Sequence, residues 1–162
     1  MSIRSRKNVL AASAVGGLLA VGATVAASSS AQAIPYYEKS CIAYNLQSNT
    51  AVNGWRPVNY SSVTVYNGTV GRWVVVNFNA DAGVDTAAEI RLGYRVDLGG
   101  IQTPGAQNFA NHTEYWETRH SMSVLWVPAG THTIRPYWRI SGAVGKNGYI
   151  YSRCLTAEAR TS

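Results

Sequence analysis

The chain has 162 residues, 14 of them Lys or Arg and 8 Asp or Glu, for a formal charge of +6. Arg4, Arg6 and Lys7 belong to a leader-like start, and without them the balance is 11 − 8 = +3, which favours solubility and gives no argument for nucleic acid. The remaining length suits one domain with a hydrophobic core of its own.

The leader comes first in chain order. A basic "MSIRSRK", an uncharged run from Val9 to Ala27, and "SSSAQA" with Ala31 and Ala33 are the three parts of a secretory signal peptide cleaved after Ala33. The run is long enough to consider a membrane anchor, which needs roughly 17–25 residues. It is rich in Ala and Gly, however, and a cleavage site follows it. Ser5 separates the two arginines, so the twin-arginine signal is not matched, and no cysteine follows the cleavage site to carry a lipid. Residues 1–33 are therefore read as a signal peptide and 34–162 as a single secreted domain with no membrane span after cleavage. The leader resembles those of Gram-positive soil bacteria.

The segment "IPYYEKS", residues 34–40, is either disordered or able to add to a sheet edge. Beyond it, Gly, Asn and Pro punctuate short β-rich runs, and no helical periodicity is sustained. Strands are expected near 42–47, 62–67, 72–80, 88–98, 115–127, 131–141 and 148–158. Alternation assigns faces. Ile90, Leu92, Tyr94 and Val96 share one, against Glu89, Arg91, Arg95 and Asp97. Met122, Val124 and Trp126 share another, which is expected to take His120 partly into the core. Ile134, Pro136, Trp138 and Ile140 oppose Arg135, Tyr137 and Arg139. The run at 72–80 is apolar on both faces where it begins, as a central or covered strand would be. Pro136 cannot donate to a ladder and marks a sheet edge or a bulge. The "VPAG" turn and the "SGAVGKNG" loop predict that the last three strands are sequential antiparallel neighbours. Cys41 and Cys154, an even pair far apart in an exported chain, predict one disulfide joining the first strand to the last. The fold expected is all-β, a two-sheet antiparallel β-sandwich.

The closing sequence "VPAGTHTIRPYWRISG…GYIYSRCLTAEA" resembles small bacterial jelly-roll sandwiches of the tumour-necrosis-factor/C1q type. Ala129–Thr133 stand for the "AGTHT" turn of these proteins and Arg153–Leu155 for their final "R-x-L" strand. The resemblance implies a jelly roll used for binding and assembly. It carries over no active site.

The residues themselves offer no catalytic constellation. His112, His120 and His132 accompany no G-x-S-x-G nucleophile, and their spacing matches no metal site, so neither catalytic residues nor a metal or cofactor is predicted. Asn79, Asp81 and Asp85 in "NFNADAGVD" supply oxygens, but read as turn-formers in a loop. Binding surfaces are the better prospect. The long connection 99–117 ends in Tyr115 and Trp116, aromatics suited to a sugar face or a protein partner. Arg135, Tyr137 and Arg139, joined by Arg91 and Arg95 if their strands share a sheet, would make a cationic face for an acidic partner or a merely solvated one. The function expected is a secreted, non-catalytic module that binds a protein partner or an extracellular, cell-envelope glycan. The alternatives are a subunit of a larger hetero-complex, such as a toxin or surface coat, and a small hydrolase or hydrolase inhibitor.

Overall fold

The computed structural model describes residues 37–50, 54–103, 108–111 and 116–159. The expected signal peptide, residues 34–36, and His112 to Tyr115 lie outside them. The described residues form strands and no helix: β1 (Tyr37–Ile42), β2 (Gln47–Thr50), β3 (Arg56–Pro57), β4 (Val63–Tyr66), β5 (Arg72–Val84), β6 (Ala88–Val96), β7 (Ile101–Gln102), β8 (Asn108–Asn111), β9 (Glu117–Val127), β10 (Thr131–Gly142) and β11 (Asn147–Ala159). Among them no helix is long and apolar enough to cross a membrane.

Two antiparallel sheets face each other. One runs β1-β11-β5-β9, with β2 also on β11; the other runs β3-β10-β6-β7, with β4 on β10 and β8 on β6. Alternation explains the layer between them, because successive side chains point to opposite faces. Val74, Val76 and Phe78 of β5, Leu125 of β9 and Leu155 of β11 enter from one side. Ile90, Leu92 and Tyr94 of β6 and Ile134, Trp138 and Ile140 of β10 enter from the other. Burial of this kind is the main stabilising term, at about 25 cal/mol per Å² of apolar surface. The layer leaves no room to spare at Gly148, where an added Cβ would lie 2.3 Å from a methyl carbon of Ile140.

The long strand β5 lies inside its sheet, between β11 and β9, as its apolar start requires. Its length corrects one expectation: residues 79–84 are strand, not loop. Asp81 accepts a hydrogen bond from Thr118 Oγ at 2.7 Å across the β5–β9 pair. Asp85 follows the strand end, and its carboxylate accepts the Asn147 N–H at 2.7 Å. A second correction concerns the first strand, which spans 37–42 rather than 42–47. Tyr44 takes a left-handed φ of 54°, which ends β1 and turns the chain into β2. Residues 37–40 are thus paired within the molecule's own sheet, on β11.

The third correction is topological. The last three strands are not neighbours, because β9 and β11 both pair with β5 while β10 lies in the opposite sheet. The short "VPAG" connection crosses between layers. Its polar groups are satisfied by the β4–β5 connection, which crosses beside it. Asn67 Nδ2 donates to Val127 O at 2.9 Å and Pro128 O at 3.1 Å. Asn67 N donates to Gly130 O, and Gly130 N to Gly68 O, both at 2.9 Å. Gly130, at φ 104°, supplies the backbone conformation this crossing needs. The β5–β6 and β10–β11 crossings are tied in the same way, with Asp85 N donating to Asn147 O at 2.9 Å.

Pro136 sits at neither an edge nor a bulge. It lies opposite Tyr94 of β6, in the gap where β4 stops and β3 begins on the other side of β10. Its carbonyl accepts the Val58 N–H at 2.9 Å on that side, and the interruption of the ladder means that no N–H is missed.

Candidate functional site

The outer face of the six-stranded sheet assembles the cationic group expected from the sequence. Arg135 lies opposite Arg95, Tyr137 opposite Gly93, and Arg139 opposite Arg91, so all five side chains share one face. Most of the guanidinium groups are already engaged. Arg91 pairs with Glu89 on its own strand. Arg95 donates to Gly99 O at 2.7 Å and Leu98 O at 2.8 Å, and its guanidinium lies 5.9 Å from the Tyr137 ring centre. Arg139 stacks over Trp55 at 5.0 Å. Arg135 is the exposed one, and no hydrogen bond or ion pair engages it among the described residues. The other expected acid leaves this face: Asp97, at φ 50°, turns away to serve His132.

The histidines do not converge. His112 lies outside the described residues. His120 is exposed on the five-stranded sheet, which corrects the expectation of partial burial. His132 is partly buried, with Nδ1 2.6 Å from Asp97 Oδ2 and Nε2 2.8 Å from Ala129 O, so both ring nitrogens face acceptors. This favours the imidazolium. The Asp97 hydrogen bond, then the Ala129 carbonyl, raise the His132 pKa above 6.5. The same His132 contact, then the Thr133 N–H, lower Asp97 below 3.8. The signs fix a pH window. A raised histidine pKa contributes stability that is whole below 6.5 and lost as pH rises through the folded value; a lowered carboxyl pKa contributes stability lost as pH falls below 3.8. The urea midpoint should therefore fall between pH 5.5 and pH 8.5 in the wild type, and by clearly less in H132Q. An equal fall in both would show that other groups set the pH dependence.

The five-stranded sheet presents what the sequence did not place. Ser121, Ser123, Leu125 and Val127 of β9 point inward, and Met122, Val124 and Trp126 point out, the reverse of the expected arrangement. Across the core the buried Tyr94 hydroxyl reaches Ser121 Oγ, 3.5 Å away. Burial pushes the Tyr94 pKa up, and the two serines partly offset it. Outside, Trp126 lies opposite Trp73 of β5, their rings 5.3 Å apart and edge to face. Both are about half exposed, as are Met122 and Val124.

A second aromatic group occupies the far end of this face. Trp116, just ahead of β9, is 51% exposed, and its ring centre lies 6.0 Å from both Tyr149 and Tyr151 of β11. Tyr44 continues the row at 6.1 Å from Tyr151. Trp116 and Tyr149 border an open cleft of about 490 Å³. Tyr115, its expected companion, lies outside the described residues. Nearby, on the inner side of β11, Arg153 is 2% exposed and forms a structural hub rather than a binding group. Among the described residues, no group of three or more His, Cys, Asp or Glu side chains could hold a metal.

No protein-family model matches the chain. No curated protein matches it either. Solved structures do. The structure of infectious bursal disease virus Gx strain superposes with a TM-score of 0.51 at 9% identity, over 78% of this chain and 32% of that one. The fold is a jelly-roll β-sandwich. This jelly roll spans about a third of the length of the viral chain. Eiger TNF from S. frugiperda is similar at 11% identity and a TM-score of 0.40, over 80% of this chain and 95% of that one. A mutant VP2 protein of infectious bursal disease virus, from derived T=1 particles, matches at 12% identity and 0.39, over 79% and 36%. At 9% identity the first of these likenesses speaks for the jelly roll alone.

Proposed function

We propose that the chain is a secreted, non-catalytic jelly-roll module that binds another macromolecule, a protein partner, through the outer face of its five-stranded sheet. The observation that carries this reading is the Trp73–Trp126 pair, exposed beside Met122 and Val124 on neighbouring strands. Contiguous exposed apolar surface marks interaction sites on soluble proteins, and tryptophan is prominent among binding hot spots. The arginine face is a weaker prospect, since Arg91, Arg95 and Arg139 are bound within the molecule. Export is supported by the leader pattern and the Cys41–Cys154 disulfide. A non-catalytic role is supported by the full engagement of His132 and by the absence of a nucleophile motif. The second reading, a subunit of a larger secreted particle, is favoured by β9, an 11-residue edge strand that pairs only with β5 among the described residues.

The test uses the secreted protein to capture partners from the producing organism's secreted fraction. W73S/W126S should lose a partner that the wild type and R135E/R139E both retain. The arginine variant should also fold, losing no more than about 1 kcal/mol, because Arg135 is exposed and Arg139 loses only its stacking on Trp55. Loss in the arginine variant with retention in the tryptophan variant would move the site to the other sheet. A monomeric native mass in the unfractionated secretion would remove the particle reading.

A further inference from the structure

We infer that the cleft between Trp116 and Tyr149 is a saccharide site that takes a pyranose ring of a neutral glycan. It is distinct from the Trp73–Trp126 patch, since ten residues along β9 separate the two tryptophans by roughly 30 Å.

The argument begins with the rings. Trp116 meets Tyr149 and Tyr151 at interplanar angles of 53° and 62°. The contact with Tyr151 is edge to face and that with Tyr149 is tilted, so neither tyrosine stacks flat on the indole, which keeps about half of its surface exposed. An open aromatic face carries negative quadrupole density and attracts the C–H edges that one side of a pyranose presents. Between the rings lies Gly83, opposite Tyr149 and next to Ala82, the partner of Glu117. Gly83 is buried, lines the cleft and adds no side chain to it. Leu46 adds an apolar wall.

A sugar also needs hydrogen-bonding groups for the hydroxyls around its ring. Asp85 and Lys146 line the same cleft and provide an acceptor and a donor. Asp85 is held in place because its Oδ2 accepts from Asn147 N at 2.7 Å and Asn147 Nδ2 at 3.2 Å. One carboxylate and one ammonium leave the described lining without net charge, which favours a neutral ligand over a phosphate or an acidic polymer. An extended peptide is a poor fit. β11 is paired on both sides here, by β2 and β5, and offers no free backbone row for strand addition. The size is suitable, since small-ligand sites span about 300–1,000 Å³.

The test titrates chitotetraose, cellotetraose and maltotetraose at millimolar concentration into the full secreted chain, reads affinity in every variant by calorimetry, and follows the tryptophan indole N–H resonances of the wild type. The Trp116 signal is assigned from W116F. At least one oligosaccharide should shift it, with affinity falling about tenfold in W116A and in Y149A. W116F should fall between W116A and the wild type, and W73S/W126S should bind like the wild type. Should W116A fail to fold, K146A replaces it and should weaken binding at least threefold. The inference is overturned if none of the three sugars moves the Trp116 signal, or if binding survives unchanged in Y149A and K146A. Neither outcome touches the protein-partner reading, which rests on Trp73 and Trp126.

Discussion

Replacing Cys154 with serine should lower the unfolding free energy by about 4–5 kcal/mol, the entropy an unfolded chain gains when a loop of this length is opened. The two cysteines face each other across β1 and β11, with Cα atoms 4.1 Å apart and a sequence separation of 113. Such a loss would be a large share of the stability of a domain this size. C41S/C154S should behave like C154S, because the cost arises from the opened loop and not from the thiol left behind. Urea unfolding of the two variants measures both statements. A loss below about 1 kcal/mol would mean that the unfolded chain is already restrained between these points.

Arg153 should rank next. Its guanidinium lies buried and donates to six acceptor contacts. Nε reaches Asn59 O and Ser61 Oγ, both at 3.2 Å. Nη1 reaches Asn45 O at 2.7 Å and Tyr151 O at 3.0 Å, while Nη2 reaches Asn45 Oδ1 at 3.1 Å and Asn59 O at 2.7 Å. One side chain thus fastens two loops onto β11. Burial lowers its pKa, yet an arginine remains charged at any ordinary pH, so this hub does not titrate. R153L keeps much of the volume and abandons these carbonyls, at a cost of about 3–5 kcal/mol. R153K keeps the charge but loses the planar fork, and should fall between the two. If R153L and the wild type unfold at the same urea concentration, water satisfies those carbonyls as well as the guanidinium does.

How much of this could be read from the residues depends on distance along the chain. β10 was legible because its alternation is clean: Ile134, Trp138 and Ile140 lie inside, while Arg135, Tyr137 and Arg139 lie on the outer face. β6 shares that clarity, and its arginines join those of β10. On β9 the same rule fails, since hydrophobicity alone puts Met122, Val124 and Trp126 inside. Across the core from these positions lies the buried Tyr94 hydroxyl, which reaches Ser121 Oγ at 3.5 Å. Turn signals failed for a related reason. A short loop joins neighbours in a hairpin but can equally cross a sandwich, and the residue that fixes the crossing at Pro128 is Asn67, some 60 positions earlier. In β11 an irregularity between Ile150 and Arg153 shifts the register. It directs Tyr149 and Tyr151 outward and Arg153 inward, so local alternation could not pair Trp116 with its two tyrosines. Arg153 left one trace, an arginine two residues before Leu155 on a face that is otherwise apolar.

The pairing of β1 with β11 has a consequence for the order in which the molecule assembles. Among the described residues β1 pairs with no other strand. A chain that emerges from its amino end presents Tyr37–Ile42 first and the complementary edge last. Strands β3 to β10 can find their partners while this one waits, together with β2, which also pairs with β11 alone among the described residues, and Cys41 has no native partner until residue 154 is free. Contacts that close such long loops form slowly. The waiting strand is also the segment most open to a wrong partner, whether a second copy's β11 or another thiol. Oxidation of the disulfide should therefore be a late event that seals a nearly finished jelly roll.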